Sequence, residues 1–303
     1  IRLSLVGSEM CIRDSAGMDF DSDSLFEVLF VIDETLAPGG PDPGKLGVYL
    51  YESDGNGGYT HVWHFVTPDP GNSLPGMNYG FIDGDGNHVI YFGVPPGGTN
   101  VGADPSQTGG SWGTYIFEQG ADGTFPTTPT MLWQHANGST GLVANDNFRP
   151  SSYQIADVDG DGKNELITTD RGEVHLTIDA LVGNDLDDLA TMSNEYYVGG
   201  DGSELDGGGI YDVDVVDFDG DGLHEVWVNT WDNFSMAIYE ATGADAYRLA
   251  NDLNSMFIDN DPGSFNRVGF AFHDIDNDGS MEAWFPMTNG KLYYLEAVSD
   301  STD

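Results

Sequence analysis

Basic residues are nearly missing from this sequence. Nine lysines and arginines stand against 51 aspartates and glutamates, a formal net charge of −42 at pH 7. A surface so charged repels nucleic acid and anionic membranes and attracts cations, so no nucleic-acid partner is expected. No run of about 18 apolar residues occurs, so no membrane insertion by a helix is expected either. Cysteine occurs once, at Cys11, which excludes an internal disulfide. Helical periodicity is poor throughout; only Gly243 to Leu253 and Asn184 to Met192 have room for a turn or two of helix. Core-forming material is plentiful by contrast. The 303 residues are 39% hydrophobic and 12% aromatic, which argues against disorder despite the charge.

The segment Ser4 to Ser15, SLVGSEMCIRDS, differs in style from the remainder of the chain. It resembles the translated reading frame of a sequencing-library adapter. Residues 1–15 are therefore set aside as foreign, and residues 16–303 are read as the repeat region. Cys11, Arg2 and Arg13 then carry no information about the native protein, and any export signal falls outside this sequence.

The repeat is the dominant feature. DVDGDGKNELITT at Asp157 recurs as DFDGDGLHEVWVN at Asp217, as DIDNDGSMEAWFP at Asp274 and as DFDSDSLFEVLFV at Asp19; a worn copy, FIDGDGNHVIYFG, begins at Phe81. The copies share D-x-D-x-D-G-x-x-E followed by an apolar run, and their starts are 62, 76, 60 and 57 residues apart. Short apolar stretches precede three of the loops at Tyr153–Ala156, Val213–Val216 and Gly269–His273. β-branched and aromatic stretches come after them at Leu166–Thr169, Val226–Asn229 and Ala283–Pro286. Third strands are expected at Gly47–Glu52, Gly113–Glu118, Ser235–Glu240 and Gly290–Glu296, and fourth strands at Thr60–Phe65 and Thr130–His135. Four strands in about 60 residues, repeated, predict an all-β fold, a β-propeller of four-stranded blades. At least five blade units are countable. The chain opens almost on a loop and stops before a further strand, so a truncated ring is expected.

Each loop gathers side chains that suit a hard cation. Calcium takes six to eight oxygens, and a tight loop can offer carboxylates at positions 1, 3 and 5, a backbone carbonyl at 7 and a bidentate acid at 9. The expected ligands are Asp157, Asp159, Asp161, Lys163 through its carbonyl, and Glu165; then Asp217, Asp219, Asp221, Leu223 and Glu225; Asp274, Asp276, Asp278, Ser280 and Glu282; and Asp19, Asp21, Asp23, Leu25 and Glu27. At 81, Phe81 and Val89 replace two ligands and leave Asp83 and Asp85. Three to four Ca2+ sites are thus expected. Without an ion, four carboxylates so close repel by several kcal/mol at intermediate dielectric. An EF-hand would need an acid at position 12 and a flanking helix, but Thr168, Val228 and Phe285 occupy that position inside strand-like runs.

With these loops and this period, the chain resembles the FG-GAP/VCBS class of repeats, the calcium-bearing blades of integrin-α-type propellers and of many secreted bacterial proteins. The resemblance covers residues 19 to about 296 and rests on the loops and their period, the Phe-Gly/Gly-Ala-Pro signature being absent. It implies an extracellular or cell-surface propeller with metal loops at blade turns, used in adhesion or in binding a glycan or protein ligand. Some relatives carry such blades beside or within polysaccharide-degrading lyases or hydrolases, which is the alternative function.

No catalytic set emerges. GGSWG, Gly109 to Gly113, fits G-x-S-x-G around Ser111, but a loop precedes it and a strand comes after it, the reverse of a nucleophile elbow. His61 and His64, three apart in an expected strand, should face opposite sides and hold no zinc together. The Gly199–Gly209 run reads as a flexible loop. Trp63, Trp112, Trp133 and Trp231 would stack on sugars if exposed, whereas Trp227 and Trp284, two places after loop glutamates, are expected in blade cores.

Overall fold

The structure, a computed structural model, describes residues 12–33, 45–68, 76–94, 113–133, 149–170, 175–186, 192–199, 205, 209–230, 236–253, 266 and 269–297. The chain divides into two compact units, one of residues 1–150 with 185–190, the other of residues 151–184 with 191–303.

The first unit holds two antiparallel sheets, each meandering in chain order. One runs β1 (Ile12–Met18), β2 (Glu27–Asp33), β3 (Leu46–Ser53) and β4 (Tyr59–Val66). The other runs β5 (Met77–Gly80), β6 (Val89–Val94), β7 (Gly113–Glu118) and β8 (Met131–Trp133). Residues 12–15, set aside above, lie in β1, while residues 1–11 are outside the described residues. Alternation explains the packing. Leu29, Val31, Val48, Leu50 and Trp63 turn to one face of the first sheet. There they meet Ile90, Phe92, Val94, Tyr115 and Phe117 of the second in one apolar cluster.

The second unit holds three sheets. These are β9 (Pro150–Ala156), β10 (Glu165–Asp170), β11 (His175–Leu181) and β12 (Met192–Gly199); β13 (Ile210–Val216), β14 (Glu225–Thr230), β15 (Met236–Gly243) and β16 (Ala246–Asp252); and the three-stranded β17 (Ala271–His273), β18 (Glu282–Pro286) and β19 (Leu292–Glu296). Strands β10, β11 and β14 are buried along their whole length, so both faces of the sheet centres are covered. Ile167, Ile178, Val226 and Tyr239 join the third sheet to the fourth. Trp227, Met236, Phe285 and Met287 join the fourth to the fifth.

The protein is thus all-β. Five sheets of three or four antiparallel strands match the expected blade units, none of them is closed, and the described residues contain no helix. One expectation fails. Gly243–Leu253 is not a helical turn but the end of β15, a two-residue turn and β16, paired through Glu240↔Arg248 and Tyr239↔Leu249. Cross-strand pairing, reinforced by the Arg248 Nη2 to Glu240 Oε2 ion pair at 2.7 Å, overrides weak local helix preference. The other suggested helical stretch ends in β12 at Met192, and residues 187–191 are outside the described residues.

Trp227 tests the packing. It is fully buried, with edge-on contacts to Phe218, Phe270 and Phe272 at centroid distances of 4.9, 5.4 and 5.1 Å. Trp227→Ala should destabilise the protein by about 3–5 kcal/mol, read from the denaturant midpoint in calcium-containing buffer. A shift below about 1 kcal/mol would show that this contact is not core.

Candidate functional site

Each repeat loop joins the first strand of a sheet to the second, and a common set of hydrogen bonds shapes it. The N–H of position 7 donates to the position-5 carboxylate in every copy: Leu25 to Asp23 at 2.7 Å, Asn87 to Asp85 at 2.7 Å, Lys163 to Asp161 at 2.8 Å, Leu223 to Asp221 at 2.7 Å and Ser280 to Asp278 at 2.8 Å. The position-5 N–H donates to the position-3 carboxylate at 3.0–3.3 Å, from Asp161 to Asp159 and from Asp85 to Asp83 among others. Position 6 turns left-handed, with φ of 93°, 95° and 97° at Gly162, Gly222 and Gly279, and Ser24 adopts 76° where glycine is missing. These bonds curl the chain so that successive carboxylates face inward.

The ninth position closes the loop. Glu27, Glu165, Glu225 and Glu282 each accept, through Oε2, the N–H of position 2: Phe20 at 2.7 Å, Val158 at 2.7 Å, Phe218 at 2.6 Å and Ile275 at 2.7 Å. One carboxylate oxygen is thereby spent on the backbone and the other is left for the loop. In two copies that other oxygen is an orphan. Glu165 Oε1 and Glu225 Oε1 are buried and have no hydrogen-bond partner, nor has Asp157 Oδ1. Glu165 is 1% exposed and Glu225 6%. A buried acceptor with no donor is costly and calls for an electrophile.

The carboxylates converge enough to share one. Ligand oxygens lie within 4.8 Å of one another in four loops: Asp21, Asp23, Glu27 and Glu52; Asp274, Asp276, Asp278 and Glu282; Asp157, Asp159 and Glu165; and Asp83, Asp85 and Glu118. Several acidic clusters can therefore hold a metal ion, and the donor set, all carboxylate oxygen, fits a hard divalent cation. The position-12 residues Thr168, Val228 and Phe285 are buried in β10, β14 and β18, which no EF-hand arrangement allows.

Two of these acids were missed by the loop pattern. Glu52, next to the end of β3, and Glu118, the last residue of β7, lie on third strands, and register explains their arrival. Glu27 pairs with Glu52, Val89 with Glu118, Glu225 with Glu240 and Glu282 with Glu296. The signal was present in the sequence, because GVYLYE, GTYIFE, SMAIYE and GKLYYLE all end in glutamate. At 81 this adds a third carboxylate to Asp83 and Asp85. Only the third sheet departs, with Ala180 opposite Glu165.

The histidine expectation is corrected. Leu50 pairs with Trp63 but Tyr51 with His61, so Val62 is an extra residue bulging from β4. The bulge turns His61 and His64 to the same face, with ring centroids 4.9 Å apart beside Tyr49 and Tyr51. Trp63 and Trp227 are buried and Trp133 and Trp284 half-buried, so none of these four is a freely exposed platform. Ser111, Trp112 and Trp231 lie outside the described residues, as does most of Gly199–Gly209.

No protein-family model and no curated protein matches the chain. Among solved structures, a Lactobacillus plantarum protein is similar over 95% of this chain and 71% of its own, at 13% identity and a TM-score of 0.54, a likeness of fold. The V. cholerae biofilm matrix protein Bap1 aligns over 95% of this chain at 15% identity and a TM-score of 0.32; the chain spans 48% of its length.

Burial also changes how the loop glutamates titrate. Burial, partly offset by the Val158 N–H and reinforced by the charges of Glu195, Asp159 and Asp157, pushes Glu165 up to about 8 from 4.5. Burial likewise pushes Glu225 up to about 7, against the Phe218 N–H, and raises Glu27. An acid whose folded pKa is raised stabilises the fold fully below its unfolded value, and that contribution is lost as pH rises through the folded one. Chelated protein should therefore lose melting temperature between about pH 6 and 8, where unperturbed carboxylates are already ionised. A divalent cation held by the loops should flatten the slope. A chelated protein equally stable across this window would contradict the assignment.

Proposed function

We propose that this chain is a calcium-stabilised, propeller-type binding module of the FG-GAP/VCBS kind, acting outside the cell or at its surface. On this reading it holds a glycan or protein ligand without catalysing a reaction. The observation that carries the reading is the recurrent closing bond. Position-9 glutamate accepts the position-2 N–H with one oxygen and, at Glu165 and Glu225, leaves a second buried oxygen with no donor. Calcium suits an all-oxygen loop of this kind better than magnesium, which demands near-ideal octahedral geometry and keeps several waters.

The residues assigned to the ions are those of the loop pattern: Asp19, Asp21, Asp23 and Glu27; Asp157, Asp159, Asp161 and Glu165; Asp217, Asp219, Asp221 and Glu225; and Asp274, Asp276, Asp278 and Glu282. The carbonyls of Leu25, Lys163, Leu223 and Ser280 are the further ligands. The ions are structural. They neutralise like charge where two strands of a sheet are joined, and leave the wide, acidic surface for the ligand. The recurrence of these loops supports an extracellular setting, since calcium there is abundant enough to keep weak sites filled.

Calorimetric titration of chelator-stripped protein should show uptake of three to four calcium ions. At free calcium about 100-fold above the dissociation constant, each site contributes roughly 2.7 kcal/mol. Glu225→Gln should remove one binding step and about that much stability, seen only in calcium. Absence of uptake would overturn the reading. A glycan-array signal without cleaved product supports the binding module; release of unsaturated oligosaccharides would replace it with the polysaccharide-degrading alternative.

A further inference from the structure

The expectation against a shared metal at His61 and His64 rested on strict alternation, and the bulge at Val62 removes that ground. His61 stands opposite Tyr51 and His64 opposite Tyr49 on β3, so both rings rise from the same face of the first sheet. β4 is an edge strand of that sheet, and both histidines are exposed. Their ring centroids are 4.9 Å apart, with planes inclined at 49°. Two imidazoles bound at about 2.0–2.1 Å to one tetrahedral ion have ring centres roughly 5 Å apart. The pair is already spaced as two ligands of one ion.

Two further observations favour a ligand over chance proximity. First, aromatic packing orients the rings. His64 stacks on Tyr49 at 5.6 Å with planes 10° apart, and His61 meets Tyr51 edge-on at 5.3 Å. Phe30 of β2 stacks on both tyrosines, at 5.9 and 5.6 Å, and backs them from the next strand. Such packing reduces the rotamer freedom that binding an ion would otherwise cost. Second, the ring nitrogens are uncommitted. Among the described residues, no hydrogen bond or ion pair takes up a nitrogen of either ring.

We propose that His61 and His64 together bind a divalent transition-metal ion, copper(II) ahead of nickel or zinc, on the exposed face of the first sheet. Imidazole nitrogen suits these ions, whereas the carboxylates of the repeat loops suit calcium or magnesium, so donor chemistry keeps the two kinds of site apart. Copper leads because affinity for a given nitrogen site peaks there along the first-row divalent series. Two protein ligands leave the remaining coordination positions to water. The formal charge of −42 raises the concentration of cations around the protein and so favours capture. This site goes beyond the binding-module reading and does not rest on calcium at the loops.

The test is titration of the whole chain with copper(II) in saturating calcium, read by calorimetry and by electron paramagnetic resonance. Wild type should show a binding step whose spectrum carries coupling to two imidazole nitrogens, which carboxylate sites lack. His61→Phe and His64→Phe keep a ring for the stacking and remove the nitrogens. Each should weaken that step by at least about tenfold, the loss seen even when only an outer partner of a metal ligand is removed. Both positions are exposed, so the melting temperature in metal-free buffer should stay at the wild-type value. Histidines that bound copper separately would behave otherwise, each single variant leaving the other imidazole bound with unchanged affinity. That result, or a wild-type spectrum without nitrogen coupling, overturns the proposal.

Discussion

Like charge gathered at the strand junctions is the constraint on which the structure depends. Four of the five first-to-second strand connections gather three aspartates and a glutamate, the one at 81 keeping two aspartates, and register then sets a further glutamate opposite the loop glutamate in several sheets. Such pairs are unfavourable side by side. The backbone resolves part of the conflict: in the copy at 157, all four loop carboxylates accept a loop N–H. It cannot resolve all of it, because the loop has fewer N–H groups than its carboxylate oxygens can accept. The surplus acceptors at Asp157, Glu165 and Glu225 are what a cation would satisfy.

Sheet packing and loop chemistry reinforce each other through position 2. Phe20 and Val158 bury their side chains in the cores of their units while their N–H groups hold Glu27 and Glu165. The same residue anchors the loop to the core and aims the ninth-position acid. Ile275 keeps the bond to Glu282 although its own side chain is exposed, so the bond does not depend on burial of its donor.

Much of this was legible in the sequence because it is local. The loop pattern, the position-6 glycines and the flanking apolar runs named β10, β14 and β18 to within a residue of their ends, and only the last four residues of β9 and β13. What was not legible depends on register and on distance along the chain. Glu52 and Glu118 reach their loops through cross-strand pairing, and the recurrence of a glutamate late in the third strand became meaningful only once that pairing was known. The His61 and His64 rings meet because one residue, Val62, is inserted against β3, and period-two alternation cannot foresee a bulge. The strand Ala246–Asp252 has the composition of a short helix and is fixed by its neighbour β15.

The sequence separation between contacting residues has a kinetic meaning. The loops close over nine residues, so the entropic toll of forming them is small and each can order soon after it is synthesised. The junction at 157 differs, for Asp245 meets Asp159 across 86 positions. Its completion must wait for the following sheet, which makes that contact a late checkpoint in the maturation of the second unit.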